Sequence, residues 1–122
     1  MAIDKVCHRE IIEVFYRTPE GEIKEHPALV LSTNRLADAE DGMFYAVLIS
    51  TKNYHQEYTL KIEDEWLTHP MGKQSYFVTH VVTFFKLNDV IKRNNNFVKQ
   101  QYFYKVLSKV IDSMFDIEVD FD

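Results

Sequence analysis

From Arg9 to Arg17 the chain reads REIIEVFYR, rich in β-branched and aromatic residues, with Ile12, Val14 and Tyr16 on one face. That alternation predicts a strand. Thr18-Pro19-Glu20-Gly21 follows, with proline and glycine spaced for positions i+1 and i+3 of a type I turn, so the chain should reverse there. A second strand is expected from about Glu22 to Thr33. Within it, Pro27 presses the backbone of His26 towards extended geometry. Asn34 to Gly42 is polar, closes on Asp-Gly, and reads as a loop. Met43 to Thr51 is the most hydrophobic run of the chain, right in length for a buried strand and short for a helix.

Gln56 to Ile62 alternates cleanly, Tyr58, Leu60 and Ile62 against Glu57, Thr59 and Lys61, as a half-exposed antiparallel strand does. Glu63 to His69 fits one helical turn with Trp66 as its anchor, and His69-Pro70-Met71-Gly72 repeats the turn chemistry. Gln74 to Leu87 carries a further β run, apolar on both faces and kinked or split in the middle. The period then changes. Asn94-Asn95-Asn96 offers an N-cap for a helix over Phe97 to Phe115, so that cap and helix together span about 94–115. Phe103, Val106, Leu107, Val110, Ile111 and Met114 form its apolar stripe. The last residues, Phe115 to Asp122, alternate with period two and read as a strand with one acidic face.

These elements predict a single domain over 1–122, mainly β with α. Five to six antiparallel strands should curl into a small SH3-like barrel, followed by the long C-terminal helix. The length of 122 residues suits one domain with its own core, and a hydrophobic fraction of 46% excludes wholesale disorder. No apolar run approaches the roughly 20 residues that cross a bilayer. The start, MAIDKVCHRE, has no apolar core for a secretion signal, so the expected location is cytoplasmic. The single cysteine, Cys7, excludes an internal disulfide framework. His8, His55 and His69 share no metal-ligand spacing, so neither metal nor cofactor is expected. The net charge of −5 weighs against a broad nucleic-acid coat. Any contact with RNA must come from a local patch drawn from Lys24, Arg35, Lys52, Lys86, Lys92 and Arg93.

Candidate chemistry gathers on the two central runs. His26 opens the first, and Ser50 and Thr51 close the second. If the runs pair, an imidazole and two hydroxyls meet at the rim of the sheet, where they can grip a phosphate or move a proton. The plainer reading of each is a residue that ends a strand and hydrogen-bonds to backbone. His80, between Thr79 and Val81, reads equally as a sheet histidine.

The order of elements and the wording of the second strand resemble the MazF/PemK (Kid) toxins of bacterial toxin–antitoxin pairs. Those toxins have a strand, a loop, an R-P-A-L-V-L-S strand, and a later strand ending P-x-T-T/S. A C-terminal helix closes the chain. Here Pro27-Ala28-Leu29-Val30-Leu31-Ser32, Ile49-Ser50-Thr51 and the helix fall in the same order, over roughly Arg9 to Met114. The resemblance implies a barrel-plus-helix fold, a homodimer, and an antitoxin partner with an acidic inhibitory tail. It also implies metal-independent, sequence-specific cleavage of single-stranded RNA through attack of a 2′-hydroxyl on the adjacent phosphate. That chemistry needs a base, a cation and an acid.

Carried over, the family arginine before the proline is His26 here, an acid–base group rather than a permanent phosphate clamp. The family threonine falls on Ser50, with Thr51 beside it. The acidic residue of the later strand falls near Thr79-His80, so His80 stands as secondary acid–base support. Lys24, Arg35 and Lys52 are the expected substrate contacts. The long glycine-rich first loop is shortened to Thr18-Pro19-Glu20-Gly21. The implied function is a toxin-like RNA-binding domain, as an endoribonuclease with an altered site. Two other readings stand beside it: a non-catalytic barrel that binds a protein partner through the acidic tail or the aromatic helix face, and a structural dimer module.

Overall fold

The computed structural model describes residues 3–53 and 55–115. Its elements run β1 (Glu10–Arg17), β2 (Ile23–Val30), α1 (Asn34–Ala39), β3 (Phe44–Ser50), β4 (Thr59–Lys61), β5 (Tyr76–Phe85), β6 (Val90–Phe97) and α2 (Gln100–Met114). The strands form one antiparallel sheet of six in the order β4-β5-β3-β2-β1-β6. The fold class is as expected, mainly β with a C-terminal helix, but the sheet is open, because no ladder joins β4 to β6.

Both faces of the central strands are buried, which is why Met43–Thr51 reads as continuously apolar. On one face Ile11, Leu29, Val47, Ile49, Phe77 and Trp66 pack against Phe103, Val106 and Val110 of α2. On the other, Val14, Ala28, Val30, Phe44, Leu48 and Phe85 form a second core on the inside of the curl. Only part of the helical stripe is used. Phe103, Val106 and Val110 are buried, whereas Leu107, Ile111 and Met114 remain exposed beside Tyr104 and Phe115.

Several expectations need correction. Asn34–Gly42 is not a loop. Thr33 caps α1, its hydroxyl accepting the Leu36 N–H at 3.1 Å, and Gly42, at φ +90°, closes the helix with its N–H on Ala37 O. The Asp-Gly pair is thus a helix terminator. Gln56–Ile62 begins as a 3-10 turn over Gln56–Tyr58, and only Thr59–Lys61 is strand. The three asparagines do not cap the final helix; they end β6, and α2 starts after Lys99. Each has another task. Asn94 donates to Glu13 at 2.7 Å. Asn95 takes φ +52° in a bulge against β1, a conformation asparagine tolerates. Asn96 clamps Thr68 and His69 through three hydrogen bonds. The expected kink in β5 is present: Phe77 pairs with Ile49 and Val82 with Val47, so Val78 to Val81 bulge opposite Leu48. The terminal strand expected from Phe115 lies, beyond that residue, outside the described residues.

Candidate functional site

Register decides which side chains share a rim. β1 pairs β2 with Val14 opposite His26, and β2 pairs β3 through Ala28↔Leu48, Leu29↔Val47 and Val30↔Ala46. That ladder ends beside Pro27, which has no N–H to give. No pairing joins positions 26 and 50. They follow the last pair, Ala28↔Leu48, by two residues on each strand, so they share its face and extending its register brings them opposite. Ser50 in turn pairs with Tyr76 on β5, and Tyr76 with Lys61 on β4. Opposed residues of an antiparallel pair point to the same side. Val14 belongs to the inner core, so His26, Ser50, Tyr76 and Lys61 line up across four strands on the inner face. Neighbouring strands lie about 4.8 Å apart, so the row is roughly 14 Å long.

His26 is half-buried and meets the Tyr16 ring edge to face, with centroids 6.2 Å apart. Tyr16 is opposite Lys24, whose ammonium is 3.6 Å from Glu22. The Ser50 hydroxyl accepts the Lys52 N–H at 3.1 Å, which leaves its own proton to donate. Thr51 and Lys52 are exposed immediately after β3. Lys61 is exposed at the end of β4, and the two ion pairs among the described residues, Lys24–Glu22 and Arg93–Glu10, leave it uncommitted. Beyond Tyr16 a cavity of about 340 Å³ is lined by Phe15, Arg17, Ile23, Phe84 and Lys86.

Of the residues singled out from sequence, His26 and Ser50 share the row, and Lys24, Thr51 and Lys52 border it. Arg35 stands apart on α1, which begins beyond the opposite end of β2. His80 lies in the β5 bulge, four residues from Tyr76 and thus about 13 Å along the strand. Its ring packs on His55 and Tyr58 at 5.7 and 5.1 Å, and its buried Nδ1 has no hydrogen-bond partner among the described residues. Tyr76 and Lys61 were missed. The alternation around Lys61 is visible in the sequence, but nothing local reveals that Tyr76 opposes Ser50 or that Lys61 opposes Tyr76. No set of three or more metal-ligating side chains occurs among the described residues.

The strongest charge pair lies elsewhere. Glu10 is buried to 1% exposure and accepts from Arg93 at 2.7 Å and from the Cys7 N–H at 2.8 Å. The hydrogen bond to Glu10 raises the Arg93 pKa above its ordinary value. This pair ties β1 to β6 and faces no cavity in the row.

No family model matches the chain, and no curated protein sequence does. Solved structures do. MazF from Deinococcus radiodurans superposes with a TM-score of 0.70 over 88% of this chain and 94% of that one, at 10% identity. The Mycobacterium tuberculosis toxin MazF-mt6 gives 0.66 over 86% and 95%, also at 10% identity. A mycobacterial endoribonuclease in complex with its cognate antitoxin gives 0.64 over 88% and 93%, at 10% identity. With so little identity the correspondence is one of architecture, and by that measure the chain has the MazF-like fold.

Proposed function

We infer that this protein is a toxin-like RNA-binding domain of the MazF type that cleaves single-stranded RNA without a metal. The observation that supports the reading is that His26 and Ser50 lie on the same face of adjacent strands, just past the last pair of the β2–β3 ladder, Ala28↔Leu48. The resemblance assigns the toxins' arginine and threonine to these two positions. His26 takes the proton from a 2′-hydroxyl, that oxygen bonds to the adjacent phosphorus, and the bond to the 5′-oxygen breaks. The departing oxygen regains a proton from the imidazolium or from water, and a 2′,3′-cyclic phosphate remains. Ser50 donates its hydroxyl hydrogen to a phosphate oxygen, and Lys24 and Lys52 supply local positive charge on an acidic protein. The cavity beside Tyr16, lined by Phe15, Phe84 and Phe85 with Arg17, Lys86 and Asp89, has the aromatic surface that a stacked base needs. Neither Arg35 nor His80 enters this scheme. We further infer an antitoxin partner, by analogy with the mycobacterial endoribonuclease in complex with its cognate antitoxin, and, from the sequence, a cytoplasmic site of action.

The test is direct. Purified protein is incubated with long single-stranded RNA beside His26→Ala and Ser50→Ala variants, and the fragments are mapped. Wild type should cut at a restricted set of sites with chelator present, and His26→Ala should lose about 100-fold or more in rate. Intact RNA under excess wild type would overturn the reading. A second reading, a module that binds a protein, is favoured by the exposed apolar side of α2, Tyr104, Leu107, Ile111 and Met114. The homodimer that the resemblance implies makes a second copy of this chain the occupant to test.

A further inference from the structure

We propose that the RNA strand crosses the sheet perpendicular to its strands along the row His26, Ser50, Tyr76, Lys61. In this arrangement Lys61 supplies the permanent phosphate-binding cation that His26 does not provide. The proposal rests on the RNA-binding reading above and adds to it a direction, an end point and two further binding residues. Three observations carry it. Ser50↔Tyr76 and Tyr76↔Lys61 are paired positions, so the phenol and the ammonium stand on the same face as the Ser50 hydroxyl. Lys61 is exposed at the end of its strand and holds no acidic partner among the described residues. The chain after Lys61 turns acidic, with Glu63, Asp64 and Glu65 around a 3-10 turn. Those carboxylates repel a further phosphate, so the track ends at Lys61.

Chemically, the row offers four different contacts to one backbone. The imidazole serves the reacting 2′-oxygen, and the serine and tyrosine hydroxyls donate to non-bridging oxygens. The ammonium balances the negative charge as a compact, mobile donor. Tyr76 is half-buried, so part of its side chain stays open to a ligand on that face.

Binding of a fluorescent single-stranded oligonucleotide is measured by anisotropy over a range of salt. The probe is a cleavable sequence carrying 2′-deoxy sugars, so that it stays intact. Wild type is compared with Lys61→Gln, Lys61→Arg, Tyr76→Phe and, as a charge-matched control on β6, Lys92→Gln. Lys61→Gln should bind about tenfold more weakly, and the slope of log affinity against log salt should fall by about 0.7, one phosphate contact. Lys61→Arg should restore both, Tyr76→Phe should weaken binding a few-fold without changing the slope, and Lys92→Gln should match wild type. If wild type binds but Lys61→Gln keeps its affinity and slope, the track is wrong and the RNA-binding reading survives. If wild type does not bind, both fall.

Discussion

Single residues decide how this sheet is held, and Glu10 with Arg93 is the clearest case. A carboxylate at 1% exposure is tolerated because it accepts from Arg93 and from a backbone amide, while Arg93 keeps 34% of its side chain in solvent. Arg93→Ala would strand that charge and should cost about 2–3 kcal/mol in urea unfolding, less than a fully buried pair because the guanidinium is part solvated. Adding Glu10→Gln should recover part of the loss, since the uncompensated charge is then gone; no recovery would show that the damage is packing. Gly42 is a second such residue. Its φ of +90° and a Cβ that would overlap Leu87 Cδ1 make Gly42→Ala costly, by about 1–2 kcal/mol, read as a lower urea midpoint at unchanged slope. Residues of this kind are also where reading from sequence stopped short. Asn94-Asn95-Asn96 has the composition of an N-cap, and only tertiary partners, Glu13 on one side and Thr68 and His69 on the other, make it the bulged end of a strand.

Among the elements, α2 divides its apolar residues between two destinations. Phe103, Val106 and Val110 enter the core, and Leu107 and Ile111 face outward at 38% and 49% exposure. Phe103→Ala should therefore lose about 3–5 kcal/mol, whereas Leu107→Ser should change monomer stability by no more than about 0.5 kcal/mol. If a second copy covers the outer face, the paired change Leu107→Ser with Ile111→Ser should shift light-scattering mass from dimer to monomer; an unchanged mass would remove that occupant. The helix itself was legible because period 3.6 is a local property. Its division was not, since Leu107 and Val106 are equally apolar and only the position of the sheet separates them. β1, β3 and β5 were legible for the same local reason, through β-branched and aromatic runs, while the short strand β4 was overextended because its 3-10 lead-in carries the same alternation.

For the whole molecule, the decisive quantity is register, and register is non-local. The sequence shows a histidine before a proline and two hydroxyls after an apolar run. It does not show that β1, β2, β3, β5 and β4 lie in an order that carries Val14, His26, Ser50, Tyr76 and Lys61 into one line. So half of the candidate row was visible and half was not. The superposition on MazF structures at 10% identity fits this picture: a shared architecture with few residues in common.

Burial on both sides of the central strands has one more consequence. Mutations in the middle of β3 disturb two cores at once, so most of them are lost to misfolding before any new activity can be judged. Positions 50, 61 and 76 lie instead at strand ends, position 26 lies just past the end of the β2–β3 ladder, and all four keep part of their surface in solvent. Descendants of this chain can therefore exchange the chemistry of the rim, a histidine for an arginine or a serine for a threonine, while inheriting an unaltered interior.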